Sequence, residues 1–439
     1  MGILAAYMVP HPPMIVPQVG RGSEKQIEKT IRAYERVAAE IAELRPETII
    51  LSSPHAVLYA DYFHISPGKG ATGDFGQFRA PEVSFRETYD TELTDRICAI
   101  AKEKGFPAGT LGERERHLDH GTMVPLWFVE KYYRDFKLVR IGLSGLPLTD
   151  HYAFGQMIRQ AAEDTGRRVV YIASGDLSHK LQGYGPYGFA PEGPEYDKRI
   201  MDVCGRGAFG ELLDFEESFC DRAAECGHRS FVIMAGALDG VSVKAEEFSH
   251  EDVTGVGYGI CSFHPGEPDA ERRFLDLWRE KQAEAIRIRH EREDAYVKLA
   301  RETVEKYVRD GKLNSVPAWA PDEMTGRKAG VFVSIHEDGR LRGCIGTILP
   351  VYGSIAEEII HNAVSASTRD PRFDPIRPEE LDVKRYGVIV SSGSRRGLLL
   401  PDLDGVDTVD EQVAIAMKKG GITARDRITL ERFEVIRHV

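Results

Sequence analysis

The chain of 439 residues is 42% hydrophobic and 29% charged, and it carries a formal net charge of −12. This length predicts two or three domains, and the negative charge argues against a nucleic-acid binder, because phosphate contacts require basic surface. No apolar run approaches the roughly 18 to 20 residues that span a bilayer, so we expect no membrane segment. The six cysteines form no CxxC pair, which fits a reducing, cytoplasmic location.

Strand-like apolar runs alternate with helical stretches from residue 1 to about 265. Between the first two runs, residues 23–44 carry apolar side chains at helical spacing. The predicted strands are 3–9, 48–52, 138–143 and 169–173, followed by a later pair at 241–247 and 255–263. Alternation of this kind predicts an α/β domain with a central sheet flanked by helices.

A second, smaller domain is predicted towards the C-terminus. The segment "HPGEP" at 264–268 ends the alternating pattern, and we interpret 266–291 as a charged helical linker between domains at 1–265 and 292–439. The predicted elements of the second domain are helices at 295–308 and 354–367, strands at 329–335, 341–345 and 387–391, and an "EDGR" turn at 337–340.

Three predicted strands of the first domain lead into a histidine. The strand at 3–9 leads to His11 in "PHPP", and the strand at 48–52 leads to His55 in "SPH". The strand at 169–173 leads to "GDLSH", which contains Asp176 and His179. Ligands of open α/β sheets bind at the carboxyl ends of the strands. If these strands are parallel neighbours, the three histidines meet at one edge.

Two loops add further polar clusters. They are "HLDHG", with His117, Asp119 and His120, and "ECGH", with Glu225, Cys226 and His228. Imidazole, carboxylate and thiolate bind first-row transition metals, and two histidines with one carboxylate form the Fe(II) site of many oxygenases. A histidine that does not bind metal could act as a general base.

Each of these residues also has a simpler interpretation. A single loop histidine is more often a surface or capping residue than a ligand, and Asp176 could serve only in a turn. Five histidine-bearing loops together nevertheless favour a metal site. The histidines without comparable context are His64, His151, His250 and His264.

At these motifs the chain resembles the LigB-type class III extradiol ring-cleavage dioxygenases and their relatives, the Memo proteins. The resemblance covers about residues 1–265, with "PHPP", "SPH", "DHG" and "GDLSH" in the family's order and spacing. It implies a mixed central sheet and a non-haem Fe(II) site bound by His11 and His55. It also implies that His179 is the general base and that His120 contacts substrate or O₂. Asp176 joins the candidate catalytic residues, and the substrate would be a catechol-like or related small molecule.

The third metal ligand is left open between two neighbours. The dioxygenases use a late glutamate, whereas Memo-like proteins have a cysteine, and here Glu225 and Cys226 are adjacent. Neighbours in sequence usually point in different directions, so we expect only one of them to bind. We favour Glu225 for an Fe(II) dioxygenase. Cys226 would suit a softer ion, with copper or zinc as the alternatives to iron, and would weaken the ring-cleavage interpretation.

Residues 292–439 resemble the AMMECR family through "LRGCIGT" at 341–347, "SASTRDPRF" at 365–373 and "LERFEVIR" at 430–437. The resemblance implies an α+β fold around an antiparallel sheet. Cys344 could be a nucleophile, but a small buried residue in a glycine-shaped turn is the better interpretation. Arg369, Asp370 and Arg372 are candidates for an anion-binding or salt-bridging cluster, which Arg327 and Lys328 could join.

Several hypotheses of function follow. The first is an Fe(II) enzyme with extradiol-type chemistry; the alternatives are a metal-binding scaffold that keeps the pocket, and metal-assisted hydrolysis or transfer. The domain order resembles protein A of the AmmeMemoRadiSam system, which implies Memo and radical S-adenosylmethionine partner proteins. Relatives of this kind often assemble, so a homodimer is also an expectation. The Gly-, Pro- and Tyr-rich segment 183–197 could be a substrate lid or an ordered surface loop.

Overall fold

The structure is a computed structural model, and it describes residues 2–114, 117–337, 340–373 and 387–391. The chain divides into two compact units, Met1–Trp278 and Arg279–Val439. The division falls inside one helix of the segment 266–291. None of the helices in the described part is both long and apolar enough to span a membrane.

The first unit is built on a six-stranded mixed sheet. Its strands are β1 (Ile3–Val9), β2 (Thr48–Ser53), β7 (Lys137–Gly142), β8 (Val169–Ser174), β9 (Val241–Glu251) and β10 (Tyr258–Pro268), in the spatial order β7-β2-β8-β1-β10-β9. The first four strands of that order run parallel. Strand β10 runs antiparallel to β1, and β9 runs antiparallel to β10. Four short strands form two small sheets beside it: β3 (Phe63–His64) with β6 (Ala108–Gly109), and β4 (Gly70–Phe75) with β5 (Ala80–Thr88).

Helices cover both faces of the six-stranded sheet. They are α1 (Pro17–Gly20), α2 (Glu28–Leu44), α3 (Thr91–Glu103), α4 (His120–Val129), α5 (Leu148–Asp164), α6 (Glu192–Arg206), α7 (Glu217–Ala223) and α8 (His228–Ala237). Successive residues of a strand point to opposite faces. Thus Ala6 and Met8 belong to one apolar core, with α3, α5, α6 and α8, whereas Tyr7 and Val9 belong to the other, with α2 and α4. Burial on both faces explains why these strands are continuous apolar runs.

The C-terminal end of β10 differs from the sequence prediction. The segment 264–268 does not end the sheet; it continues β10, with His264 opposite Lys244 and Pro265 opposite Val243. Prolines are tolerated in a strand where no ladder hydrogen bond is needed on that side. The pairing of β10 with β1 covers only 261–263, so beyond Phe263 the strand has a neighbour on one side only.

The second unit has a smaller antiparallel sheet. Its elements are α10 (Ala295–Asp310), α11 (Asp322–Gly326), β11 (Phe332–Glu337), β12 (Arg340–Gly346), α12 (Ile355–Thr368) and β13 (Gly387–Ser391), preceded by α9 (Phe274–Arg292), which crosses the division between the units. The strand order is β12-β11-β13, and α10 and α12 pack their apolar faces on the sheet. The two predicted fold classes are therefore confirmed. Residues 338 and 339 of the "EDGR" turn, and the "LERFEVIR" motif, lie outside the described residues.

Candidate metal centre

The three histidine-bearing strands are direct neighbours. Strand β8 pairs in parallel with β1 on one side and with β2 on the other. His11 and His55 follow the ends of β1 and β2, and Asp176 and His179 follow the end of β8. All of these residues therefore leave the sheet at its carboxyl edge, as the sequence predicted for parallel neighbours.

His11, His55 and Cys226 come together at this edge. Their ligand atoms all lie within 4.8 Å of one another, and among the described residues they form the sole such group of histidine, cysteine or carboxylate side chains. The Nε2 atoms of the two histidines are 3.0 Å apart, and Sγ of Cys226 lies 3.7 Å from Nε2 of His11. His11 is buried, Cys226 is half-buried and His55 is exposed, so the group opens towards solvent on the His55 side.

These separations suit one first-row metal ion. Two nitrogen ligands, each roughly 2.1 Å from an ion at a tetrahedral angle, lie about 3.4 Å apart, and a nitrogen and a sulfur ligand lie about 3.6 Å apart. The observed separations, 3.0 and 3.7 Å, fall near both values. Mixed imidazole and thiolate donors are ligands that iron, copper and zinc accept.

The histidines are also in the protonation state that a metal requires. Burial, reinforced by the neighbouring His55, lowers the pKa of His11 to about 3. Burial likewise lowers the pKa of His55. Both imidazoles are therefore neutral near pH 7 and can offer a nitrogen lone pair. Burial and the nearby Asp176 raise the pKa of the Cys226 thiol well above its ordinary value, so metal binding must displace the thiol proton.

The structure separates Glu225 from Cys226. The Glu225 carboxylate accepts a hydrogen bond from the backbone N–H of His228, at the start of α8, at 2.6 Å. This favoured third ligand is thus engaged with a helix N-terminus and does not belong to the ligand group. The backbone N–H of Cys226 donates instead to the carbonyl of Asp176, and Sγ of Cys226 accepts from the backbone N–H of Asp176 at 3.3 Å.

His120 lies beside the ligand group. Its ring centroid is 4.0 Å from that of His55 and 5.4 Å from that of His11. Burial, with help from both histidines, lowers the pKa of His120 to about 4. The rings of Phe78 and His120 form a T-shaped pair with their centroids 5.5 Å apart. His120 is therefore packed beside both histidines of the ligand group.

Asp119 holds the start of α4 in place. Its carboxylate accepts from the backbone N–H of Thr122 and from Ser53, and it pairs with the buried Arg140 at 2.9 Å. Burial would raise the pKa of Asp119, but the Arg140 charge and these hydrogen bonds hold that pKa below its ordinary value. Asp119 is thus a fixed anion that anchors the helix carrying His120.

Asp176 and His179 occupy different positions at the end of β8. Asp176 is buried; its Oδ1 accepts from the backbone N–H of His11 at 2.7 Å, and its Oδ2 lies 4.0 Å from Nε2 of His11. Burial raises the pKa of Asp176, although His179 opposes that shift. His179 has its Nδ1 2.5 Å from the carbonyl of Ala224, and its ring meets Tyr187 edge-on at 5.1 Å.

The remaining histidines of the first unit lie outside this group. His228 is buried between Tyr196 and the carbonyl of Leu212, and His117 is exposed near Asp74. His64, His151, His250 and His264 bond respectively to Leu111, to Pro147, to Asp197 and to Glu40. These contacts place all six histidines in packing or surface roles.

Three contacts of the site were not predicted from the sequence: Ser174 with His11, Arg140 with Asp119, and Tyr187 with His179. Arg140 could have been noticed, because it is a charged residue inside the apolar run 138–143 and a buried charge needs a partner. Ser174, a polar residue at the end of an apolar strand, is a weaker signal of the same kind.

The helix α6 begins at residue 192, so the segment 183–197 is a loop only up to Pro191.

In the second unit, Cys344 lies in a small polar cluster. Its Sγ accepts from the Ser334 hydroxyl at 3.0 Å, and its backbone N–H donates to Asp370 at 2.8 Å. Arg372 pairs with Asp370 at 2.7 Å and donates to the Cys344 carbonyl. The predicted Asp370 and Arg372 thus form a salt bridge around the Cys344 backbone, whereas Arg327 pairs with Glu323.

Comparison with known proteins agrees with this architecture. The model of the catalytic LigB subunit of aromatic ring-opening dioxygenase matches residues 5–261, and the AMMECR1 model matches 297–383 and 377–438. A protein of Clostridium acetobutylicum is 39% identical over 100% of this chain and 99% of its own length. The 2-aminophenol 1,6-dioxygenase beta subunit of a Pseudomonas species is 25% identical over 60% of this chain and 94% of its own.

Among solved structures, an uncharacterized protein from Pyrococcus horikoshii is 38% identical, with a TM-score of 0.20, over 22% of this chain and 48% of its own. The match to the LigB model spans more than half of this chain, and the Clostridium relative is similar from end to end. The chain therefore belongs to the LigB family of aromatic ring-opening dioxygenase catalytic subunits and carries a C-terminal AMMECR1 domain.

Proposed function

We propose that the protein is a metal-dependent oxidoreductase that uses O₂ on a small aromatic substrate of the catechol or aminophenol type. His11, His55 and Cys226 would hold the ion, and Fe(II) is the ion we propose first. The observation that carries this proposal is the convergence of these three side chains at the carboxyl edge of the sheet, in a chain of the LigB family. The similarity to a 2-aminophenol dioxygenase subunit supports the substrate type.

The hydrogen bond of His179 indicates what this residue can do. The Ala224 carbonyl can only accept, so Nδ1 of His179 carries the proton. In the neutral ring, Nε2 then has a free lone pair and can remove a proton from a substrate hydroxyl or amino group. Bound Fe(II) would supply open coordination positions for the substrate and O₂. His120 and Phe78 would limit water at the side of the site that they cover.

The first experiment is metal analysis of protein purified without oxygen or chelator. We expect near-stoichiometric iron in the wild type and none in His11→Ala. The iron-loaded protein should then consume O₂ with catechol or 2-aminophenol. Full iron retention by His11→Ala would overturn the assigned site, and turnover under strict anaerobiosis would replace the oxygenase with hydrolysis or transfer.

The thiol supports a second candidate, a metal-binding protein without oxygenase chemistry. A thiolate ligand favours softer ions such as copper or zinc, whereas ring-cleaving enzymes of this kind have a carboxylate oxygen as the third ligand. Under this candidate the purified protein contains copper or zinc, and Cys226→Ser changes the bound metal. Glu225→Gln is the matched control, because its carboxylate contacts α8 and not the ligand group. O₂ consumption with either aromatic substrate would exclude this candidate.

A further inference from the structure

We propose that Ser174 is a positioning residue of the metal centre, which keeps the His11 proton on Nδ1 so that Nε2 faces the ion. This inference rests on metal binding by His11, which is part of the proposed function, but not on ring-opening chemistry. It assigns a role to a side chain that carries no charge and is not itself a ligand.

The direction of each hydrogen bond follows from what its partners can do. The Ser174 hydroxyl lies 2.6 Å from the Gly121 carbonyl, which can only accept, so the hydroxyl proton points there. Ser174 Oγ also lies 2.9 Å from Nδ1 of His11. With its own proton committed, Oγ can only accept from His11, and Nδ1 must therefore be the protonated nitrogen.

The lone pair of His11 is then on the opposite side of the ring. Nε2 lies 3.0 Å from Nε2 of His55 and 3.7 Å from Sγ of Cys226, which places this lone pair in the ligand group. In the other tautomer, either the lone pairs of Nδ1 and Oγ would face each other without a proton, or the Ser174 proton would turn to Nδ1 and leave the buried Gly121 carbonyl without this donor. Both residues are at most 1% exposed, so water has little access to relieve that contact.

Ser174 is well placed to hold this geometry. It is the last residue of β8, opposite Val9 of β1, and the next residue, Gly175, donates to the Val9 carbonyl at 2.9 Å. Gly121, its acceptor, directly follows His120 in α4. One hydroxyl thus joins the segments that carry His11 and His120. Partners that orient a metal-bound histidine in this way typically contribute about 10- to 100-fold to metal affinity.

The test compares Ser174→Ala with Ser230→Ala. Ser230 is an equally buried serine whose Oγ bonds to Ser52 and not to a histidine. We expect Ser174→Ala to weaken Co(II) binding about 10- to 100-fold, and Ser230→Ala to leave it within about twofold, at matched thermal stability. Ser174→Thr, which keeps the hydroxyl, should restore part of the affinity.

A second measurement does not depend on a variant. Nitrogen-15 NMR of the metal-free wild type reports which ring nitrogen of His11 is protonated, and we expect Nδ1. A proton on Nε2, or equal Co(II) affinities of Ser174→Ala and Ser230→Ala, would overturn the inference. A wild type that binds Co(II) but shows no turnover with aromatic substrates would count against the oxygenase alone. If the wild type bound no Co(II), the metal site would fail and this inference would fail with it.

Discussion

At the scale of single residues, adjacent side chains of one loop have different tasks. Ala224 adopts a left-handed backbone conformation, with φ of 52°, directly before Glu225 and Cys226. Glu225 then bonds to the start of α8, while Cys226 pairs its backbone N–H with Asp176. A local backbone turn and a long-range contact with the end of β8 therefore decide which of the two side chains faces His11 and His55.

His179 provides a test at this scale. His179→Gln places an uncharged amide at this position and removes the basic nitrogen, so iron content should stay at the wild-type level. The rate with catechol or 2-aminophenol should fall about 100-fold or more, the usual contribution of a general base. The exposed His117→Gln serves as the control and should keep both. Loss of iron from His179→Gln would show that His179 is a ligand rather than a base.

At the scale of elements, two backbones cross closely beneath the ligand group. A Cβ atom at Gly175 would lie 2.1 Å from Cα of Gly227, so any side chain there must push the segments apart. Gly175 follows β8, and Gly227 directly follows Cys226. This crossing is what brings the Cys226 thiol to the histidines.

Gly175→Ala should therefore impair stability and the metal site together. We expect a loss of about 1–3 kcal/mol of unfolding free energy, typical of overpacking, and a weaker thiolate-to-Co(II) absorption band as Cys226 retreats from His11. Gly183→Ala is the matched control, because a Cβ atom at Gly183 would have no neighbour within 4 Å. Equal Co(II) spectra for the two variants would contradict this account of the crossing.

The loop after His179 offers a second test at this scale. Tyr184 and Tyr187 are 76% and 60% exposed, but only Tyr187 has a described ring contact with His179. An aromatic pair contributes about 0.5–1.5 kcal/mol. If substrate binds beside His179, Tyr187→Ala should raise the dissociation constant for catechol roughly 2- to 10-fold, whereas Tyr184→Ala should not. Calorimetric titration measures the dissociation constants of both variants. Equal effects of Tyr187→Ala and Tyr184→Ala would show that the loop is an ordinary surface segment.

At the scale of the whole molecule, buried histidines make stability depend on pH. Burial is the main cause that lowers the pKa to about 3 or 4 at four positions: His11, His120, His151 and His228. Between those values and about 6.5, these four histidines bind more protons in the unfolded chain than in the folded one, so their contribution to stability falls as the pH falls. Other groups act in the opposite direction: His250, whose pKa is raised by its hydrogen bond to Asp197, and Glu87 and Glu225, whose pKa values burial raises to about 8 and about 7.

We therefore expect each of these four histidines to remove unfolding free energy from the metal-free protein as the pH falls from 7 to 5. Each buried histidine contributes up to about 1.4 kcal/mol per pH unit below its unfolded pKa. Urea unfolding at several pH values measures how steeply the unfolding free energy changes with pH. In His151→Gln this slope should differ from the wild-type slope by about one proton. Equal slopes for the wild type and His151→Gln would contradict the assignment of a neutral, buried His151.

The sequence by itself determined the local structure and the fold classes. Apolar periodicity predicted β1, β2, β7 and β8 to within one residue at each end, because these strands are buried on both faces. The sequence also predicted the edge of the sheet where the histidine motifs meet, because parallel neighbouring strands end at the same edge. These predictions were possible because charge and apolar patterns involve residues that are close together in the chain.

Only the tertiary structure decided which groups share the site. It placed Cys226 with His11 and His55, it placed Glu225 against α8, and it brought Ser174 to the ring of His11. It also continued β10 through two prolines that locally resemble a break. Each of these outcomes depends on a contact between residues far apart in the chain, such as the crossing of Gly175 and Gly227, and no local pattern encodes such a contact.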